Sequence, residues 1–76
     1  MTAFSELSAG DRVRVLGFKK GNVEYRQKLL AMGLTPQTEF SFVRRAPLGD
    51  PVELKVKGCS FSLRLKEATL LNIQRL

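Results

Sequence analysis

Histidine is absent from this 76-residue sequence, and one cysteine, Cys59, is present. Those two facts remove most of the chemistry that side chains can do. A zinc or other soft-metal site needs several Cys and His donors. A Ser–His or Cys–His nucleophile needs the imidazole base. Cys59 could act as a thiolate if Lys57 activated it. Perturbed thiols need a base or a helix N-terminus, however, and Cys59 reads more simply as a turn residue. The seven Asp and Glu are scattered, and no pair has the spacing of a hard-cation site. The glycines never fall at phosphate-cradle spacing before a helix. The sequence therefore offers no catalytic residue, no metal ligand set and no cofactor site, and the function expected of it is binding.

Charge is the next candidate for chemistry. Thirteen Lys and Arg against seven Asp and Glu give +6, a positive field over much of a small body. Nucleic acid, an anionic membrane surface and an acidic protein face all suit that field, and solubility alone would also explain it. The cations are dispersed, with Lys19-Lys20 and Arg44-Arg45 the only adjacent pairs. No run of like charge forms a tail. A single cysteine permits no intrachain disulfide. The start, Met1 to Glu6, has neither the basic nor the apolar region of a signal peptide. No apolar stretch approaches the roughly 20 residues of a membrane helix. The expected location is cytoplasmic, and the length fits one domain, residues 1–76.

The elements that must position any binding residues can be read from periodicity. Asp11 to Phe18 alternates as a strand, Val13 and Val15 on one face and Arg12 and Arg14 on the other. Asn22 to Met32 is a helix: Asn22 is a good N-cap, Glu24 lies four residues before Lys28, and Gly33 is a stop. Glu39 to Arg45 alternates with Phe40 and Phe42 on one face. Val52 to Lys57 alternates with Val52, Leu54 and Val56 inward. Gly58-Cys59 suits a two-residue II′ hairpin turn with Gly first. Ser60 to Leu65 follows with Phe61, Leu63 and Leu65 inward. One helical turn over Lys66 to Thr69 leads to a last strand, Leu71 to Arg75. The fold class is mainly β: a small, closed, five-stranded SH3-like barrel with one short α-helix inserted between strands one and two.

Two surfaces stand out on that plan. Tyr25, Leu29 and Met32 share one helix face and are expected to pack the helix on the barrel. A short helix cannot hide both its faces, and Leu30 and Val23 lie well around from that stripe, so one of the two groups is left partly exposed for a partner. Arg26 lies between the two groups and is expected to lay its stem over the core. The loop Ala46-Pro47-Leu48-Gly49-Asp50-Pro51 is the other surface. Its prolines and glycine stop any ladder, and Leu48 at its tip is a preorganised apolar contact.

Arg26-Gln27-Lys28-Leu29-Leu30-Ala31-Met32-Gly33-Leu34-Thr35-Pro36, followed by Ala46-Pro47-Leu48-Gly49-Asp50-Pro51, resembles the FeoA family. These are small cytoplasmic accessory proteins of bacterial ferrous iron uptake. The likeness runs from about Leu7 to Ile73. One departure is visible: after Thr35-Pro36 the family pattern has Gly, and here Gln37 stands. The resemblance implies an SH3-like barrel, transition-metal-ion binding as a family-level term, and a partner, the membrane iron transporter and GTPase FeoB. The partner-binding residues expected are Tyr25, Arg26, Leu29, Leu30, Met32, Pro47, Leu48 and Gly49. An arginine-finger role for Arg26 is disfavoured, because such a role needs a mobile loop rather than a helix middle. The alternatives are a nucleic-acid-binding small barrel, and a stand-alone relative of the SH3-like domain of iron-dependent repressors. Weak self-association through an open strand edge is a further expectation.

Overall fold

The computed structural model describes residues 2–76. A 3₁₀ turn, Phe4–Glu6, precedes β1 (Arg12–Phe18), α1 (Val23–Ala31), β2 (Glu39–Arg45), β3 (Val52–Val56), β4 (Cys59–Leu63), α2 (Leu65–Ala68) and β5 (Leu71–Arg75). The strands form one sheet in the order β4-β3-β2-β1-β5. Every pairing is antiparallel. Period-2 alternation produces this arrangement. Val13, Val15, Phe40, Phe42, Val52, Leu54, Val56, Leu63, Leu71 and Ile73 all turn to one face and are buried there. Bulges between Val15 and Gly17 on β1 and between Phe42 and Arg44 on β2 interrupt the ladders and bend the sheet around this core.

The SH3-like barrel is not closed by hydrogen bonds. Among the described residues β4 and β5 are the two edges and do not pair with each other. Side chains seal the core instead. Ala68 of α2 is buried, and Phe4 of the 3₁₀ turn stacks on Phe40 with ring centroids 6.3 Å apart. Arg45 locks that turn down. Its Nη2 donates to the carbonyls of Phe4 and Leu7 at 2.7 and 3.0 Å, and its guanidinium lies 5.1 Å from the centre of the Phe42 ring. The N-terminal segment, with buried Phe4 and Leu7, is thus part of the core.

Two local expectations are corrected. The β3–β4 turn is Lys57-Gly58, not Gly58-Cys59: Val56 pairs with Cys59, and φ is +51° at Lys57 and +83° at Gly58. Two left-handed central residues make this a type I′ turn, whose twist matches that of the strands. Leu65 does not end β4 facing inward; it opens α2 and is 38% exposed. The reason is capping. Glu67 Oε1 accepts the Arg64 N–H at 3.1 Å and Asp50 Oδ1 accepts the Leu65 N–H at 2.9 Å, so the chain turns into a helix one residue early.

Candidate protein-docking surface

The inserted helix forms where its capping residue dictates. Asn22 Oδ1 accepts the N–H of Glu24 at 2.8 Å and of Tyr25 at 3.3 Å. Of its expected apolar stripe, Leu29 is fully buried, and Tyr25 and Met32 are half-buried against the core. Leu29 is therefore core and presents nothing to a partner, a correction to its place among the contact residues. The opposite side carries Val23 and Leu30, 64% and 38% exposed. Lys28 does not turn to Glu24. It reaches α2, where its Nζ lies 2.8 Å from Oε2 of Glu67.

The loop between β2 and β3 is stiff. Gly49 N–H donates to the Ala46 carbonyl at 2.7 Å, and Ala46 N–H to the Pro51 carbonyl at 2.9 Å. Gly49 sits at φ +89°, a conformation glycine reaches without strain. This frame holds Pro47 exposed and Leu48 97% exposed. Asp50 ties the loop to α2 through the Leu65 N–H.

The helix and the loop meet at α2. Tyr25 lines a cleft of about 270 Å³ with Asp50, Arg64, Lys66 and Glu67. Gly49 lines a second, mainly apolar groove of about 310 Å³ with Phe4, Arg45, Leu65 and Thr69. Tyr25 and the Pro47–Gly49 loop thus border two clefts on either side of one short helix. Arg26 and Val23 do not join them. They line a different cleft with Lys19, Lys20 and Leu70. The Arg26 guanidinium lies 5.6 Å from the centre of the Phe18 ring, so its charged head rests on a half-buried aromatic of the core.

Sequence reasoning missed α2 as the pivot of this surface. Its signal was present: Arg64 and Glu67 have the spacing of an N-cap and the third helical residue whose carboxylate caps it. The buried Glu67 is electrostatically coupled. The Lys28 ammonium, and then the Arg64 N–H, hold its carboxyl below the usual Glu range although burial pushes the other way.

Much of the positive charge is already engaged. Arg12 and Arg14 share Glu39, Arg44 binds Glu53, Arg75 approaches Asp11, Lys28 binds Glu67 and Arg45 binds carbonyls. All six aromatic rings are buried or half-buried. Among the described residues no three or more of Cys, Asp and Glu gather where they could hold a metal ion. No helix among them is long and apolar enough to cross a membrane.

Comparison with known proteins places this geometry. The FeoA domain family matches residues 2–75. Iron(II) transport protein A from Clostridium thermocellum superposes with a TM-score of 0.87 at 32% identity, covering 99% of this chain and 46% of that one. This chain therefore spans just under half the length of that relative. A FeoA-like protein from Clostridium acetobutylicum gives 0.82 at 34% identity, covering 93% and 81%. FeoA from Stenotrophomonas maltophilia, complexed with zinc and described as a prokaryotic SH3 domain protein, gives 0.80 over 97% and 91%; at 23% identity it speaks for the fold alone.

Proposed function

Because the chain belongs to the FeoA family, we propose that it is an accessory protein of bacterial ferrous iron uptake, acting in the cytoplasm by binding the G domain of the membrane transporter FeoB. One observation carries the binding reading. Leu48 is 97% exposed at the tip of a loop braced by two internal hydrogen bonds and a third to α2. A leucine held rigidly in water contributes nothing to this fold, yet loses little entropy when a partner covers it. The groove beside it, lined by Phe4, Leu65 and Gly49, extends the apolar surface. Tyr25, on the far side of α2, would contact the same partner. Arg26, Leu30 and Met32 belong to the surface only if that partner also wraps α1.

The role is one of docking. A sequence without histidine supplies no general base of the ordinary kind, and Arg26 is held over Phe18 in the helix rather than offered on a loop. The nucleic-acid alternative loses its stacking platform, since Phe40 and Phe42 lie in the core and no aromatic ring is exposed.

The test is recovery of the FeoB G domain from a purified binding mixture, together with ferrous iron uptake in a strain lacking the gene. Recovery and impaired uptake are expected. No recovery and normal uptake would sink the proposal.

A further inference from the structure

The two edges of the sheet are treated differently. The β5 edge is covered: Thr2 N–H donates to the Ile73 carbonyl at 2.9 Å, and Arg75 N–H donates to Thr2 Oγ1 at 3.0 Å. Among the described residues nothing covers the β4 edge. Natural sheets blunt a free edge with a charge, a proline, a bulge or a covering segment. β4 reads Cys59-Ser60-Phe61-Ser62-Leu63, with no charge and no proline. Its register with β3 runs unbroken from Val56↔Cys59 to Val52↔Leu63. Of the five strands it is the one without a charged side chain.

The type I′ hairpin sets the phase of this edge. Residues flanking a two-residue turn form a hydrogen-bonded pair, and such pairs then alternate along the strands. Cys59, Phe61 and Leu63 therefore bond to β3, while the N–H and C=O of Ser60 and Ser62 point away from the sheet. Both serines are exposed, and neither has a backbone partner elsewhere among the described residues. That leaves two donors and two acceptors in line, spaced to receive one added strand.

We infer that the β4 edge is a second docking site, which takes an extended acidic segment of a partner polypeptide as a sixth, antiparallel strand. Charge selects that occupant. Lys57 and Arg64 bracket the strand at either end, and Lys55 lies directly across from Ser60 on β3. None of the three is in an ion pair among the described residues. Glu53, across from Ser62, is paired with Arg44, and Arg64 also faces Glu67, so Lys55 and Lys57 are the uncompensated charges beside the edge, with none within it. A second copy of β4 fits less well. Antiparallel self-pairing about Phe61 satisfies the same backbone groups, but it sets Lys57 of each copy beside Arg64 of the other. Side chains of the incoming strand that point to the core side would meet Phe61, which is half-buried. The favoured segment therefore alternates apolar with polar residues and has Asp or Glu at its ends. The site does not depend on the transporter reading: the outward backbone groups of Ser60 and Ser62 take no part in that surface, and Arg64 alone borders both.

The experiment is a selection of phage-displayed random linear heptapeptides on the full 76-residue chain, followed by titration of the enriched synthetic peptides into ¹⁵N-labelled protein. Enriched peptides should be acidic and alternating, and should shift the Ser60 and Ser62 amide signals most. Ser62→Pro removes one outward N–H without touching the β3 ladder and should weaken binding at least tenfold. Ser60→Pro is the second variant should the first disturb the fold, and the amide shifts in the unmodified protein stand whichever variant folds. Lys55→Glu with Lys57→Glu should weaken binding at least fivefold. Failure to enrich any peptide, enrichment of peptides indifferent to Ser62→Pro and Ser60→Pro, or self-association abolished by Ser62→Pro would each overturn the proposal. FeoB binding that persists in Ser62→Pro leaves the transporter reading untouched.

Discussion

The ammonium of Lys28 lies 2.8 Å from Oε2 of Glu67, and this contact joins the two helices of an otherwise β-built domain. Glu67 is 6% exposed, while its second oxygen accepts the Arg64 N–H at 3.1 Å. One carboxylate thus caps α2, anchors α1 and forms part of the cleft beside Tyr25. A docking surface built on both helices needs this tie to keep its two halves in register.

Replacing Glu67 with Gln keeps the shape and removes the charge. Stability at neutral pH should fall by about 1–2 kcal/mol, the range for a charge-assisted hydrogen bond with a half-exposed lysine. The pH profile gives the sharper test. The folded state holds this carboxyl below the usual Glu range, so it binds fewer protons than the unfolded state. Its stabilisation is complete above the unfolded-state value, roughly 4.3, and is lost as the pH falls through the lower folded value. Urea denaturation from pH 7 to pH 3 should show the parent chain losing stability faster than the variant on the acid side. Parallel profiles would show that the pair contributes nothing.

Arg45→Ala should loosen the N-terminal segment. The guanidinium supplies a donor to the Phe4 and Leu7 carbonyls and covers the Phe42 ring. Loss of both should cost about 1–3 kcal/mol. Faster exchange of the Leu7 amide, which bonds to the Phe4 carbonyl at 3.2 Å, would localise the effect. Arg45→Lys should restore only part of it, because an ammonium does not stack on an aromatic face as a planar fork does.

Most of the sheet was legible because one of its faces is buried. Phe40 and Phe42, and Val52, Leu54 and Val56, alternate with polar residues, and a one-residue slip would expose every one of them. Asn22 announced the helix for an equally local reason. Tertiary contacts hid the remainder. The N-terminal turn contributes Phe4 and Leu7 to the core, too few residues to show a period. The hairpin turn lies one residue earlier than its sequence suggests, because Gly58 suits either turn type and only Lys57 at φ +51° distinguishes them. At the candidate surface, Tyr25 and Leu29 share one helical stripe. How deep each sits depends on the barrel beneath, which buries Leu29 and leaves Tyr25 at a cleft. Leu48 was legible because a leucine between a proline and a glycine has no local packing partner.

Gln37 stands at a turn position that glycine ordinarily takes. Thr38 N–H donates to the Thr35 carbonyl at 3.0 Å, Pro36 is second in the turn, and Gln37, third, has φ +75°. That is a type II turn, whose third position favours Gly. A left-handed non-glycine residue costs about 1–2 kcal/mol, against about 0.5–1 kcal/mol for the extra unfolded-state freedom of glycine. Gln37→Gly should therefore stabilise the fold by about 0.5–1 kcal/mol in denaturant titrations. Gln37→Val, with a β-branched side chain, should destabilise it. A neutral or destabilising glycine would mean that the Gln37 side chain contributes something its backbone conformation does not show.

Leu48→Asp separates docking from folding more cleanly than any other change in the chain. At 97% exposure Leu48 has almost nothing to lose within the monomer, so stability should stay within about 0.5 kcal/mol of the parent. Burying a leucine against a partner contributes about 1.5–3 kcal/mol. At about 1.4 kcal/mol per tenfold, its loss should weaken binding to the FeoB G domain by roughly ten- to a hundredfold. Calorimetric titration of the two purified proteins would read the change, with thermal denaturation as the control. Leu65→Asp, in the groove beside the loop, should weaken the same interaction if the partner covers both. An unchanged Kd for both variants would move the contact off this face, to the exposed Val23 and Leu30 of α1 or to the bare edge of β4.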